Sequence, residues 1–226
     1  MTAREIRFAA PGGPEVLKEE SVALPRPAAG EVLVRQTAVG LNYLDVYHRS
    51  GAYPLPLPSG VGSEAAGVVE EVGPGVSLVS EGDRVVYAGG PPGAYASHRN
   101  VAADRLVVVP DGVSDELAAA VMLKGMTVEY LLNRCHAVKP GERVLFHAAA
   151  GGVGLLAGQW GRHLGATMIG VAGGADKCRL AREHGYAEVI DRTSEDVVER
   201  VKAITDGAGV PVVYDSVGKS TFDVSI

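Results

Sequence analysis

The sequence predicts an α/β chain, with a β-rich N-terminal half followed by a doubly wound parallel sheet. Three observations carry this. Short alternating apolar runs cut by Gly and Pro fill residues 1–122. From Arg143 onward, strand-like runs alternate with helix-competent segments. One stretch, Gly141 to Arg162, reads GERVLFHAAAGGVGLLAGQWGR, which is a strand, a small-residue turn and a helix start. With 226 residues and 46% hydrophobic content, the chain has enough apolar material for two modest domains, 1–122 and 123–226.

In the first half, strands are expected at Glu31 to Thr37, Gly67 to Val72, Asp83 to Tyr87 and Leu106 to Pro110. Turn signals at Pro11-Gly12-Gly13-Pro14, Gly73-Pro74-Gly75, Glu81-Gly82-Asp83 and Asp111-Gly112 punctuate them. This spacing suits a small β-barrel or sandwich. The segment Leu123 to Tyr130 leads into the second half, with Val128, Leu131 and Leu132 at helical spacing. There, strands are expected at Arg143 to His147, Thr167 to Ala172, Glu188 to Asp191 and Pro211 to Asp215. Helices are expected at Gly152 to Leu164, Ala175 to His184 and Ser194 to Thr205. Right-handed crossovers turn that alternation into a parallel sheet.

The glycine turn aims backbone N–H groups and the positive end of a helix at one point, which suits a pyrophosphate. Small residues are needed because a Cβ would hold phosphates off the backbone. Read as G-x-G-x-x-G, Ala149 takes the first place, Gly151 the second and Gly154 the third. Val144 to Phe146 before it and Leu155 to Trp160 after it supply the strand and helix that a dinucleotide fingerprint requires. The plain alternative is a turn that only packs a helix on a strand.

The end of the second strand selects the coenzyme. NAD-binding versions carry an acid there that holds the ribose 2′-OH. Here the run is Ile169-Gly170-Val171-Ala172-Gly173-Gly174-Ala175-Asp176-Lys177. Gly173 and Gly174 stand in the acid's place, leaving room for a phosphate and no charge to repel it. Lys177, a cation beside open backbone N–H groups, suits a dianionic 2′-phosphate. Asp176 reads two ways, as a helix cap pointing away or as a charge that discourages phosphate. NADP(H) is therefore expected over NAD(H).

The pattern Gly141-Glu142, Leu145, Ala149-Ala150-Gly151-Gly152, Gly154, Gln159 and Arg162 resembles the signature of zeta-crystallin-type quinone oxidoreductases. These belong to the medium-chain dehydrogenase/reductase superfamily. The similarity runs along the whole chain. It implies a GroES-like catalytic domain followed by a Rossmann domain with NADP(H) on Gly151, Gly152, Val153 and Gly154. It places Asn42, Tyr43, Leu44, Asp45 and Tyr47 near the nicotinamide pocket. It also sets Thr127 and Tyr130 on the nicotinamide side and Val217 at the contact after the fourth strand. Several family members have a tyrosine where Arg192 stands, near the 2′-phosphate, and an arginine should bind phosphate at least as well. The plain alternative is that Lys177 and Arg192 are ordinary solvated charges.

In zinc-dependent relatives the place of Asn42 holds a cysteine and that of Ser63 a histidine. Catalytic zinc needs three N, S or O ligands, which these residues do not supply. The four-cysteine zinc lobe is also missing, so no metal is expected. The implied activity is hydride transfer from NADPH to a quinone, an acceptor electron-poor enough to need no Lewis acid. Asn42 and Tyr47 are the catalytic candidates, and no residue stands out as a general acid. Tyr43, Tyr47 and Tyr53 read equally as half-buried packing residues, and Glu64 reads as a buried structural acid.

Two other functions fit the same residues. One is reduction of an activated C=C bond in an alkenal or enone. The other is NADPH binding without turnover. The formal charge of −6, from 21 basic and 27 acidic residues, argues against nucleic acid as a partner. Cys135 and Cys178 show no metal spacing and read as free thiols in a reducing compartment. Arg4, Glu5 and Arg7 interrupt the start before any apolar core, so no leader is expected. The longest uncharged apolar run, Val144 to Trp160, is broken by His147 and four glycines, so no membrane partner is expected either. A cytoplasmic protein is expected. The chain stops at Ile226, and a complete family member would add two strands, a return segment and the edge strand of the family's homodimer. The Rossmann sheet is thus expected to be C-terminally incomplete. A fragment, a truncated gene product and completion by a partner all fit that expectation.

Overall fold

The computed structural model describes residues 1–226, which divide into two compact units, Met1–Leu123 and Lys124–Ile226. The first unit carries eight strands: β1 (Thr2–Phe8), β2 (Lys18–Ala23), β3 (Glu31–Gly40), β4 (Ser59–Gly60), β5 (Glu64–Val72), β6 (Arg84–Ala88), β7 (His98–Ala102) and β8 (Val107–Val108). Helix α1 (Tyr43–Ser50) lies between β3 and β4 in sequence. The strands form a five-stranded sheet, β7-β3-β5-β6-β8, and a three-stranded sheet, β2-β1-β4. All the pairings in the two sheets are antiparallel.

Successive residues of a strand face opposite sides of its sheet, and both sides are buried here. Ala65 and Val85 join Val32, Val34, Val69 and Val101 in one cluster. Their neighbours Ala66 and Val86 join Val109, Ala118 and Ala119 in another. Ala118 and Ala119 belong to α2 (Asp115–Tyr130), which begins earlier than the helical spacing around Val128 suggested. Its start is held by side chains. Leu117 N–H donates to Ser114 Oγ at 3.1 Å, and Arg84 donates to Asp115 Oδ1 from Nη2 at 2.6 Å and Nε at 2.9 Å. At its other end α2 passes into a π-turn, Leu131–Cys135, whose Leu131 carbonyl accepts from Tyr214 Oη at 2.7 Å.

The second unit is a four-stranded parallel sheet in the order β11-β10-β9-β12. Its strands are β9 (Arg143–His147), β10 (Thr167–Ala172), β11 (Glu188–Asp191) and β12 (Val212–Tyr214). Helices α3 (Gly152–His163), α4 (Ala175–Glu183), α5 (Val197–Ile204) and α6 (Phe222–Ser225) alternate with them. Leu145, Ile169, Val171 and Ile190 bury one face of the sheet. Val144, Phe146, Met168, Ala172 and Val189 bury the other. That is why these strands read as near-continuous apolar runs. Helix α5 starts at Val197 rather than Ser194. Asp196 accepts Glu199 N–H at 2.9 Å as its N-cap, while Ser194 and Glu195 N–H turn back to Asp191 O. Three glycines admit large neighbours. A Cβ on Gly158 or Gly170 would lie 2.5 Å or 2.9 Å from the Tyr186 ring, and one on Gly161 would lie 2.2 Å from Met168 Sδ. Cys135 is exposed and Cys178 buried, and both are free thiols.

Candidate cofactor site and active site

The glycine turn forms as the fingerprint requires. Ala148 leaves β9 at φ +53°, a left-handed conformation that is strained for a residue with a Cβ. Gly151 caps α3 with no side-chain hydrogen bond. The first bond inside the helix is Leu155 N–H to Gly151 O at 2.8 Å. The amides of Gly152, Val153 and Gly154 therefore precede the helix ladder, as the opening amides of any helix do. With the dipole of a 12-residue helix behind them, they suit a pyrophosphate.

The three glycines differ in what they do. A Cβ on Gly154 would lie 2.4 Å from Ala148 O and 2.6 Å from Ala149 O, so this glycine lets the helix seat on the strand. A Cβ on Gly151 would meet only Ala148 O, at 3.1 Å. A Cβ on Gly152 would lie 3.0 Å from Cδ and Cε of Lys124, whose stem runs past the turn. Sequence reading missed Lys124, because no local motif ties a residue near the end of α2 to a turn after β9.

The end of β10 corrects one expectation. Gly173 and Gly174 do replace the usual acid, but the place is not without charge and its amides are not all open. Gly174 N–H donates to Asp191 Oδ1 at 2.9 Å, so an acid from the third strand reaches the second. Asp191 Oδ1 also accepts from Thr193 N–H at 3.0 Å and Thr193 Oγ1 at 2.7 Å. The hydrogen bonds from Thr193 and Gly174, together with the charge of Arg192, hold the Asp191 carboxyl below its usual range. The Arg192 guanidinium lies over Gly173, with Nε and Nη2 both 3.4 Å from where a Cβ would stand. Lys177 is exposed on α4. Asp176 does not cap that helix. Gly174 does, while Asp176 pairs with Arg179 at 3.4 Å.

In the first unit Asn42 caps α1, and its Nδ2 donates to Glu64 Oε1 at 2.7 Å. Glu64 is fully buried and also accepts Leu123 N–H at 2.7 Å. Asp45 is 5% exposed, and its oxygens accept Asn42 N–H at 2.9 Å, Tyr95 Oη at 2.9 Å and Ser63 Oγ at 3.4 Å. Its carboxylate is thus spent on donors inside the first unit. Burial and the Asp45 charge push the Tyr95 phenol far above its usual range. Leu44 is half-buried. The tyrosines are not core residues. Tyr43 is 70% exposed and Tyr53 53%, with Tyr47 between them at ring distances of 5.0 Å and 5.1 Å.

Zinc does not fit these residues. The Asn42 amide and the Ser63 hydroxyl both donate to carboxylates, and neither is a thiolate or imidazole.

On the second unit, Thr127 is half-buried on α2 and Tyr130 is exposed. Val217 is exposed, and its N–H donates to Asp215 Oδ1 at 2.8 Å. Burial raises the Asp215 pKa, but hydrogen bonds from Thr221, Gly218, Val217 and Ser225 outweigh that and hold it at about 2. His147, buried at the end of β9, has Nε2 3.2 Å from Ser225 Oγ, which lies 3.1 Å from Asp215 Oδ2. Sequence reading passed over this link because its members come from three separated segments.

Comparison with known proteins agrees with this fold. The family model described as alcohol dehydrogenase GroES-like domain matches residues 28–111, and that of zinc-binding dehydrogenase matches 152–226. The quinone oxidoreductase of Pseudomonas aeruginosa is 53% identical over 99% of this chain and 69% of its own length. A 2-haloacrylate reductase of a Burkholderia species is 47% identical over 95% of this chain and 66% of its own. The solved structure of Escherichia coli quinone oxidoreductase in complex with NADPH superposes with a TM-score of 0.97. It is 51% identical, with 98% of this chain and 68% of that one covered. With its GroES-like domain and Rossmann-type sheet, the chain is an oxidoreductase that belongs to the quinone oxidoreductase family of the medium-chain dehydrogenase/reductase superfamily.

Proposed function

We propose that the chain is the NADPH-binding and catalytic part of a zinc-free quinone reductase. The observation that carries this is the start of α3, capped by Gly151 with no side-chain hydrogen bond, where the Gly152, Val153 and Gly154 amides precede the first helix bond at Leu155. Bound NADPH supplies the hydride from its nicotinamide. Gly151 to Gly154 hold the pyrophosphate, and Gly173, Lys177 and Arg192 receive the 2′-phosphate. Thr127, Tyr130 and Val217 border the nicotinamide. Within the first unit, Asn42, oriented by Glu64, and the ring pair of exposed Tyr43 and half-buried Tyr47 receive the planar quinone. Catalysis is then mostly positioning in a water-poor site.

The test is titration with both coenzymes, followed by turnover on a benzoquinone-type acceptor. NADPH should bind at least about tenfold tighter than NADH, the factor expected for one charge-assisted phosphate contact. A chelator should leave the rate unchanged. Equal or tighter binding of NADH would end the coenzyme assignment, and a rate abolished by chelation would end the metal-free one. The 47% identity to a 2-haloacrylate reductase favours a second reading, reduction of an activated C=C bond. Turnover of an enone-type acceptor faster than the benzoquinone would select it. Binding without oxidation of NADPH, tested with both acceptors, would leave a coenzyme-binding role.

A further inference from the structure

We propose that Asp191 is a positioning residue for coenzyme selectivity: it fixes the Gly173–Gly174 turn and aims Arg192 at the site of the 2′-phosphate. The proposal rests on the reading of NADPH as coenzyme. Strands β10 and β11 run parallel with Ala172 level with Asp191, so the two strands end together. The ladder continues one bond further, from Arg192 N–H to Ala172 O at 3.0 Å. That bond fixes where the Arg192 side chain departs, and its guanidinium comes to rest over Gly173.

The carboxylate locks both sides of this junction. Toward the second strand, Asp191 Oδ1 takes the N–H of Gly174, whose φ of +87° and ψ of 154° only glycine adopts readily. Toward its own turn, the same oxygen takes the Thr193 N–H and hydroxyl, at 3.0 Å and 2.7 Å. Asp191 N–H donates to Glu195 Oε2 at 2.8 Å, which closes the turn behind Arg192. The acid that ordinarily accepts from the ribose and selects NAD ends the second Rossmann strand, whereas Asp191 ends the third. Here its oxygen is turned inward to three donors, and the residue beside it presents the cation. Selectivity is set from the third strand rather than the second.

The experiment titrates NADP⁺ and NAD⁺, which differ only in the 2′-phosphate, into the full chain and four variants. Asp191→Ala should weaken NADP⁺ by about tenfold and NAD⁺ by less than about twofold, as loss of a charge-assisted contact does. Asp191→Asn retains an acceptor for Gly174 and Thr193 and should stay within about threefold of the native chain. In an Arg192→Ala background, adding Asp191→Ala should leave the NADP⁺/NAD⁺ ratio unchanged, because the residue it acts through is gone. Equal weakening of both nucleotides by Asp191→Ala would reduce Asp191 to a fold-stabilising role and overturn the proposal. A gain in NADP⁺ preference would mean that the acid faces the ribose, with the same consequence. So would an effect that persists undiminished without Arg192. A native chain with no preference for NADP⁺ would instead sink the coenzyme reading before any variant is compared.

Discussion

Replacing Gly154 by alanine isolates the packing role of the glycine turn from its binding role. The added Cβ would stand 2.4 Å from Ala148 O, 2.6 Å from Ala149 O and 2.7 Å from Ala149 C. All three are backbone atoms of a turn already strained at Ala148, so no side chain can swing away. Such overpacking costs about 1–3 kcal/mol. Any retreat of the helix also stretches the buried bond from Tyr186 Oη to Gly154 O, now 2.7 Å, worth about 0.5–1.5 kcal/mol. Alanine returns about 1 kcal/mol through helix propensity. The balance is a loss of about 2 kcal/mol, or a melting point lower by about 4–8 °C in a chain of this size. Differential scanning calorimetry measures it, with Gly125→Ala as the opposite control. Gly125 also lies in a helix but has nothing within 4 Å of its would-be Cβ, so that change should stabilise by about 0.5–1 kcal/mol. A Gly154→Ala melting point within about 1 °C of the native chain would refute the steric argument.

Other outcomes follow from the same side chains. Tyr186→Phe keeps the ring that Gly158 and Gly170 admit but leaves the Gly154 carbonyl without this buried partner. It should cost about 1 kcal/mol in urea unfolding, and no loss would mean that water satisfies the carbonyl. Asp215 titrates at about 2 in the fold, below the roughly 3.9 of an unfolded aspartate. Its stabilisation is therefore complete above about pH 4 and lost as pH falls through about 2. The shift corresponds to about 2.5 kcal/mol, which solvent screening at this partly exposed group cuts to about 1. The native chain should exceed Asp215→Asn by that amount at neutral pH and lose the advantage near pH 2, read from urea midpoints at each pH. A difference constant across that range would show that the bonds do not need the charge.

The strands and helices of the second unit were legible because each is written in local chemistry. Val144 to Phe146, Met168 to Ala172 and Val189 to Ile190 are apolar on both faces, as a covered parallel sheet demands. Helix α3 announced itself by the small-residue turn before it and the helix-competent run Leu155 to Trp160. The start of α5 was misjudged by three residues, because the Ser194 and Glu195 amides turn back to Asp191 O and the helix opens only after Asp196. Helix α2 was seen only over its last half. Its beginning depends on Arg84 reaching Asp115, a pairing of residues 31 positions apart that no periodicity carries.

The site divides along the same line. The glycine turn, Lys177 and Arg192 stand out because their chemistry is read one residue at a time. Among the carboxylates only Glu64 read as a buried structural acid, and even its partners were hidden, since what an acid does depends on which donors face it. Asp45 receives Tyr95 from 50 residues away, Glu64 receives Asn42 from 22, and Asp191 receives Gly174 from 17. Each accepts at least one backbone N–H, a use that is invisible without the fold. An acid so engaged offers less to a ligand, because its lone pairs are already taken by donors that the fold holds in place. The same composition that would suggest a charged, reactive pocket therefore produces a set of braces. Asn42 and Arg192 are the side chains those braces hold in place.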